Sequence, residues 1–239
     1  MSTQNRRERE RQAKRSKILE TAKALFESQG IMRVTMNDIA AACEYSIGSL
    51  YLYFKSKDDI YMGLAAVGAE KIDDLIRDCL TASESQDQRM PEAKVRQFVE
   101  GFLEIFASYG YYFDVLRLTA GSIDGAEFSQ ETFQALTFST MNSVSITSKY
   151  FLNLMPQDKQ NDDVALNSTF VAWSYLMGLA QLTSQGRDAL IDANTKASLV
   201  NYIIDTLMGM KLVETMAKHT VNVPSLVKIS HAQPTSHLS

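Results

Sequence analysis

The chain has 239 residues, 45% hydrophobic and 22% charged, the balance of a globular protein with one large domain or a small domain joined to a larger one. No apolar run reaches the roughly eighteen residues that span a bilayer, and the Arg- and Glu-rich start lacks the apolar stretch of a signal peptide, so a cytoplasmic protein with no membrane partner is expected. The net charge of −4 is unevenly spread: residues 1–57 carry 11 Lys and Arg against 6 Asp and Glu, a net of +5, and the other 182 carry 13 against 22, a net of −9.

Proline occurs only at positions 91, 156, 224 and 234, and between these points the apolar spacing is helical. The spacing predicts a first helix from about Arg11 to Gln29, with Ile18, Ala22, Leu25 and Phe26 on one face and Gly30 as its stop. Thr35 and Asp38 form a capping-box signal, with Val34 and Ile39 at the positions of a hydrophobic staple, and this helix stops near Cys43. Ser46 is the next cap, stapled by Tyr45 and Leu50. Ser56 is the third, with Asp59 at the box position. Three starts within about 22 residues imply short helices joined by tight turns, the helix-turn-helix arrangement.

Longer helices follow: one to about Thr81, a polar loop from Ala82 to Met90, and a helix from Pro91 to about Tyr109. A short helix over Tyr111–Thr119 and a loop with Gly121 and Gly125 come next. Further helices cover about Glu127–Met155, Asp162–Ser184 and Thr195–Lys218. The last 21 residues lack periodicity and hold two prolines, which reads as a disordered tail. The expected division is a basic arm at 1–11, a small head at 12–57, a larger helical body at 58–218 and the tail at 219–239.

Enzymatic chemistry finds little support. His219, His231 and His237 all lie in the final 21 residues, which leaves no imidazole for base work or metal ligation in the folded part. No phosphate-binding glycine loop is present, and carboxylates are scattered along helix surfaces. No catalytic residue, metal or cofactor is expected. Cys43 and Cys79 read as buried small hydrophobes.

The short stretch Cys43–Phe54 holds a helix start, a glycine and four aromatic residues. With 3.6 residues per turn, Leu50 and Phe54 share the buried face. Ser49, Leu52 and Tyr53 turn outward, with Tyr51 at the margin. Tyrosine hydroxyls donate to phosphate oxygens, and Gly48 lets the helix end approach a partner closely. Ser46 and Ser49 are small hydrogen-bonders. Lys57 and Thr35 sit at helix starts that favour an anion. A surface that accepts hydrogen bonds and apolar contact together is the DNA major groove; an aromatic-lined protein interface is the alternative.

These residues resemble the DNA-binding domain of the TetR family of bacterial transcriptional repressors. The likeness runs from Ile18 to Ile60 through Ala22, Leu25-Phe26, Gly30, Thr35, Ile39-Ala40, Ser46-Ile47-Gly48-Ser49-Leu50-Tyr51, Tyr53-Phe54 and Ser56-Lys57, about a fifth of the chain. The resemblance implies an all-α homodimer with a three-helix DNA-binding domain containing the helix-turn-helix, and a larger C-terminal ligand-binding and dimerisation domain. It implies that Ser46, Ile47, Gly48, Ser49, Tyr51, Leu52 and Tyr53 face DNA, and that Thr35, Tyr53 and Lys57 hold phosphates. The chain departs from the pattern at three places. Glu44 stands where glycine is common after the second helix. Ile47 and Leu52 replace polar or larger residues, which suits thymine methyls, although Ile47 also has the spacing to pack inward. Arg6, Arg7, Arg9, Arg11, Lys14 and Arg15 are expected to add sequence-independent DNA affinity or reach a minor groove.

In the body, Leu166, Phe170, Trp173, Met177 and Ala180 form an apolar stripe, and Leu199, Ile203, Leu207 and Met210 another. The resemblance makes these a four-helix dimer interface; spacing alone allows intramolecular core equally. Candidate ligand contacts are Phe102, Phe106, Tyr109, Tyr112, Phe113, Arg117, Phe138, Met141, Asn142, Trp173 and Met177. The expectation is a homodimeric repressor on a palindromic double-stranded DNA operator, released by an apolar or amphipathic small molecule. An activator or ligand-independent DNA-binding regulator and a helical protein-interaction module stay open as alternatives.

Overall fold

The computed structural model describes residues 3–81, 90–113, 129–183 and 191–208. Among these, all regular structure is helical: α1 Thr3–Gln29, α2 Met36–Ala42, α3 Ile47–Tyr51, α4 Lys57–Thr81, α5 Glu92–Phe113, α6 Gln130–Asn153, a 3-10 turn Gln157–Lys159, α7 Asp162–Thr183 and α8 Ala193–Met208. This is the all-α class expected, with a small N-terminal head and a larger helical body.

The head is built from its caps. Gly30 ends α1 in the left-handed region at φ 82°, and its N–H donates to Phe26 O at 2.9 Å. Thr35 and Asp38 close a reciprocal box at the start of α2, and the Ser46 hydroxyl accepts from Ser49 N–H at the start of α3. These caps satisfy backbone donors that a short helix leaves unpaired. They aim Val34, Ile39, Leu50 and Phe54 inward, where all four are essentially inaccessible beside Ile18 and Ala22. This core continues past position 57: Ile60, Tyr61, Leu64 and Ala65 of α4 and Tyr112 of α5 complete it, with Tyr61 and Tyr112 edge-on at 5.0 Å.

α4 joins head to body, and its main packing partners are α6 and α5. α7 lies against α6 and α5, and α8 against α5 and α7. Val99, Phe102, Leu176 and Ile204 are the centre of the body core, and Phe151, Met155, Val164 and Ala165 form a second cluster. Gly68 lets α5 approach α4: a Cβ there would lie 2.8 Å from Phe113 Cζ and 2.9 Å from Tyr109 Cβ. Cys43 and Cys79 are free and buried, and burial pushes the Cys79 thiol up against the opposing pull of Lys94.

Several boundaries differ from expectation. α1 begins at Thr3, so residues 3–11 continue the first helix instead of forming a separate arm. Pairs four apart, Arg6 to Glu10 at 2.8 Å and Gln12 to Glu8 at 2.9 Å, support these turns by a few tenths of a kcal/mol each. α5 runs unbroken through Gly110, where the sequence suggested a stop. A Cβ at Gly110 would lie 2.4 Å from Phe106 Cδ1, so the glycine makes room for a ring that stacks on Phe102 at 6.2 Å and on Phe113 at 6.1 Å. α3 closes at Tyr51, three residues short of Phe54. α8 starts at Ala193, where Asp192 accepts from Thr195 N–H at 2.6 Å. The expected loop with Gly121 and Gly125, Met210, and the tail at 219–239 lie outside the described residues, as does most of the loop at 82–90.

Gly68→Ala tests the α4–α5 approach. Alanine raises helix propensity by about 1 kcal/mol, but here the overpacking should outweigh it and lower stability by about 1–3 kcal/mol. A urea midpoint equal to or above wild type would contradict the contact.

Candidate nucleic-acid interface

The outward surface of the head follows from how α3 ends. Leu52 N–H donates to Ser49 O and Tyr53 N–H to Leu50 O, at 3.3 and 3.0 Å. These three-residue closures tighten the last turn and rotate the residues after Tyr51 away from ideal α-helical positions. Tyr51 is therefore 52% exposed and Leu52 81% exposed. Tyr53, expected to point outward, is half-buried and packs on the head core; Tyr51, expected at the margin, faces solvent. Ile47 is 38% exposed, so it lies at the edge of the core rather than inside it. Gly48 is exposed, and a Cβ there would meet nothing within 4 Å. Ser46 and Ser49 hydroxyls lie 2.8 Å apart.

The residues flanking α3 are partly committed. Thr35 Oγ1 donates to Asp38 Oδ2 at 2.7 Å, and Thr35 N–H donates to the same oxygen at 2.8 Å. These two bonds hold the Asp38 carboxyl below the usual carboxylate range. Lys57 Nζ donates to Ile31 O at 2.8 Å and Val34 O at 3.1 Å. An ammonium has three donors, so this lysine ties the α1–α2 turn to α4 and keeps one N–H for another acceptor. Glu44 follows α2 at φ 60°, a non-glycine residue in the left-handed region. Its N–H donates to Ala41 O and that of Tyr45 to Ala40 O, at 3.0 and 2.9 Å, which is the helix-ending pattern usually left to glycine.

The basic residues of α1 divide into two groups. Arg6, Arg7, Arg9 and Lys14 are exposed. Arg15, expected to reach DNA, is instead buried at 8% exposure, and the sequence signal for it, a charge on the same face as Ile18 and Leu19, was available. Arg15 Nη1 donates to Tyr53 O at 3.1 Å and Nη2 to Thr132 Oγ1 at 2.6 Å, and its guanidinium carbon lies 4.2 Å from the centre of the Phe54 ring. Burial lowers the Arg15 pKa, and Glu131 and Asp59 oppose the shift. Arg11 donates to Glu131 in the first turn of α6.

Asp59 completes this junction and was missed as more than a cap. It is fully buried. Its Oδ2 accepts from Lys55 N–H at 2.9 Å, and its Oδ1 accepts from Ser129 N–H at 3.1 Å and Ser129 Oγ at 2.9 Å.

The candidate ligand contacts do not form one site. Phe102, Phe106, Phe113, Trp173 and Met177 share the body core, with Trp173 edge-on to Phe102 at 6.2 Å. Tyr109 and Tyr112 belong to the head cluster. Phe138 is 72% and Met141 40% exposed on α6. Asn142 Nδ2 donates to Asp73 Oδ2 at 2.6 Å, where Arg77 Nε also donates at 3.2 Å, so its amide ties α6 to α4. Arg117 lies outside the described residues. A cavity of about 590 Å³ opens between α5, α7 and α8, lined by Arg96, Glu100, Lys196 and Val200 among others, and none of the candidate contacts lines it.

The model of a family described as "Bacterial regulatory proteins, tetR family" matches residues 18–62. The chain is 32% identical over 101 residues to a probable HTH-type transcriptional regulator, ArpR, of Pseudomonas putida, covering 42% of this chain and 45% of that one. The same identity and shares hold for the HTH-type transcriptional regulator TtgR, also of Pseudomonas putida. The match thus spans less than half the length of these curated relatives. In overall fold, the chain is similar to a TetR-family transcriptional regulator from Bordetella parapertussis 12822, with TM-score 0.52 and 23% identity over 81% of this chain and 93% of that one. Among the described residues no helix is long and apolar enough to cross a membrane.

Substitutions at two positions test the local geometry. At position 44, glycine relieves a left-handed strain of about 1 kcal/mol, so Glu44→Gly should hold or raise head stability while Glu44→Val lowers it; the reverse order in thermal melts would contradict the turn. The depressed Asp38 pKa contributes stability above the unfolded value near 4, and that contribution is lost as pH falls through the folded value. The stability gap between wild type and Asp38→Asn should therefore close on acidification below about pH 4, and a constant gap would exclude the charged cap.

Proposed function

We propose that this chain, which belongs to the TetR family of bacterial regulatory proteins, represses transcription by binding an operator in double-stranded DNA through α3. The observation that carries the reading is the surface of α3. A cap fixes the start of the helix, Leu50 and Phe54 hold its inner side, and Tyr51, Leu52 and an open Gly48 face outward. Tyr51 offers a hydroxyl and Leu52 an apolar contact, the pair of properties that base edges and thymine methyls take. Ile47 adds a second apolar contact at the rim. The Tyr53 hydroxyl and the remaining donor of Lys57 would serve phosphates beside this surface, whereas Thr35 has given both its donors to Asp38. The exposed cations Arg6, Arg7, Arg9 and Lys14 add sequence-independent attraction.

The functional unit in this reading is a homodimer on a palindrome, with the two heads in successive major grooves. Its support is the apolar exposure of Phe170, Tyr175 and Leu182 on α7 and of Tyr202 on α8, side chains that a partner helix pair would cover. An apolar or amphipathic effector that binds the two head spacings unequally would release the operator. The packed rings of Phe102, Phe106 and Trp173 favour, as a second reading, a regulator that acts without a ligand. Selection of bound duplexes from a random library, followed by affinity measurement with the best sequence, tests the DNA reading; no enrichment would end it.

Gly48 gives a sharper test. The protein leaves open space at its Cβ position, so Gly48→Ala should keep or raise stability by up to about 1 kcal/mol while weakening binding to the selected duplex at least severalfold. Full affinity in that variant would mean that α3 does not approach a partner closely. Deleting residues 1–11 should weaken binding and reduce the salt slope by nearly one for each phosphate contact removed, and an unchanged slope would take these cations out of the interface.

A further inference from the structure

The geometry points to Arg15 as a positioning residue: together with Asp59 it locks the end of α3 onto the first turn of α6, so the DNA-facing helix keeps one orientation relative to the body. The functional consequence rests on the DNA reading above; the lock itself does not.

Two backbone groups mark the exit from α3, the carbonyl of Tyr53 and the N–H of Lys55. Both are held by ionised side chains from other elements. Arg15 of α1 donates to the first, and Asp59 of α4 accepts from the second. Each of these side chains is also bonded to α6. Arg15 reaches the Thr132 hydroxyl, and Asp59 accepts from both Ser129 N–H and the Ser129 hydroxyl. The Ser129 and Thr132 hydroxyls lie 2.7 Å apart. A hydroxyl has one proton and two lone pairs, so Ser129 shares its single proton between the Asp59 carboxylate and the Thr132 hydroxyl, which accepts it. The result is a continuous polar chain from guanidinium to carboxylate through two hydroxyls. Glu131, 3.9 Å from Arg15 Nε, and the Phe54 ring flank it.

Asp59 and Thr132 are fully buried and Arg15 nearly so. Charges in such a place are stable only while every partner stays in position. Sliding α6 against the head would strand both ions, so the arrangement behaves as a latch with one closed state. α6 continues from this latch into the body, where Asn142 is bonded to Asp73 of α4. A change in the seating of α6 therefore reaches α3 through Thr132 and Ser129.

Thr132→Val and Thr132→Ser separate positioning from general stability in the full-length protein. Valine keeps the volume and removes the hydroxyl, while serine keeps the hydroxyl. Amide exchange is read over residues 52–58 and 129–134, with α7 as internal reference, and affinity is read on the duplex selected with wild type. Loss of a bond to a charged group should speed exchange around the α3 exit about tenfold or more and weaken the duplex to a similar degree in Thr132→Val, with α7 unchanged. Thr132→Ser should restore both, and Arg15→Lys, which lacks the planar fork, should behave like valine. Equal exchange and affinity in the valine and serine variants would overturn the latch, as would a rise in exchange spread evenly into α7. If wild type selects no duplex, the DNA reading fails and exchange alone decides the latch.

Discussion

A guanidinium buried between two domains is the constraint around which this molecule is arranged. Removing an ion from water costs several kcal/mol even after relaxation, so Arg15 can sit where it does only if acceptors surround it. Those acceptors come from the α3–α4 turn and from α6, and Asp59 adds the opposite charge through two hydroxyls. Each partner fixes an element, and the elements fixed are the helix that faces outward, the helix that carries it and the helix that enters the body. The exposed pairs Arg6–Glu10 and Lys23–Glu27 have no such leverage, because solvent competes for their charges.

The same physics explains which parts of the chain could be read from its letters. Caps are local: Thr35 with Asp38 and Ser46 with Ser49 depend on residues three apart, so α2 and α3 start where the sequence places them. The ends of helices depend on what lies beside them. α3 stops early because its last turn tightens, and this exchanges the roles expected for Tyr51 and Tyr53. α5 passes through Gly110 because the missing Cβ admits the Phe106 ring, a tertiary reason that spacing along one helix cannot express. Arg15 was misjudged for a similar cause. Its position on the face of Ile18 and Leu19 was visible, but its partners lie 38 and 117 residues away, and without them an inward arginine looks untenable.

The body was less legible than the head. Aromatic spacing marks apolar helix faces, but does not say which face meets the core and which meets water. Phe102 and Phe138 are both phenylalanines on helical stripes, yet one is sealed and the other 72% exposed. Asn142 is a polar group among the candidate ligand contacts. Its amide serves a buried carboxylate, Asp73, on a helix 69 residues earlier, since a buried acid needs donors more urgently than a pocket needs a polar contact.

Charge is thus divided by depth in the head, and this bears on how it would meet a polyanion. Arg15 and much of Lys57 are used inside, on a carbonyl, a hydroxyl and two further carbonyls. The outward side of α3, Ile47 to Leu52, carries no ionised side chain at all. Long-range attraction in the proposed DNA reading would come from exposed cations beside α3, Arg33 and Lys55 among them, and from those on the first turns of α1, which a continuous helix holds at a set distance from α3 rather than on a loose arm. In the proposed DNA reading, selectivity would fall to short-range contacts of the Tyr51 phenol, the Ile47 and Leu52 side chains and the Ser46 and Ser49 hydroxyls, whose energy depends on close fit. A surface that discriminates by fit would gain from a rigid mount, and the proposed role of the buried ions behind α3 is to supply it.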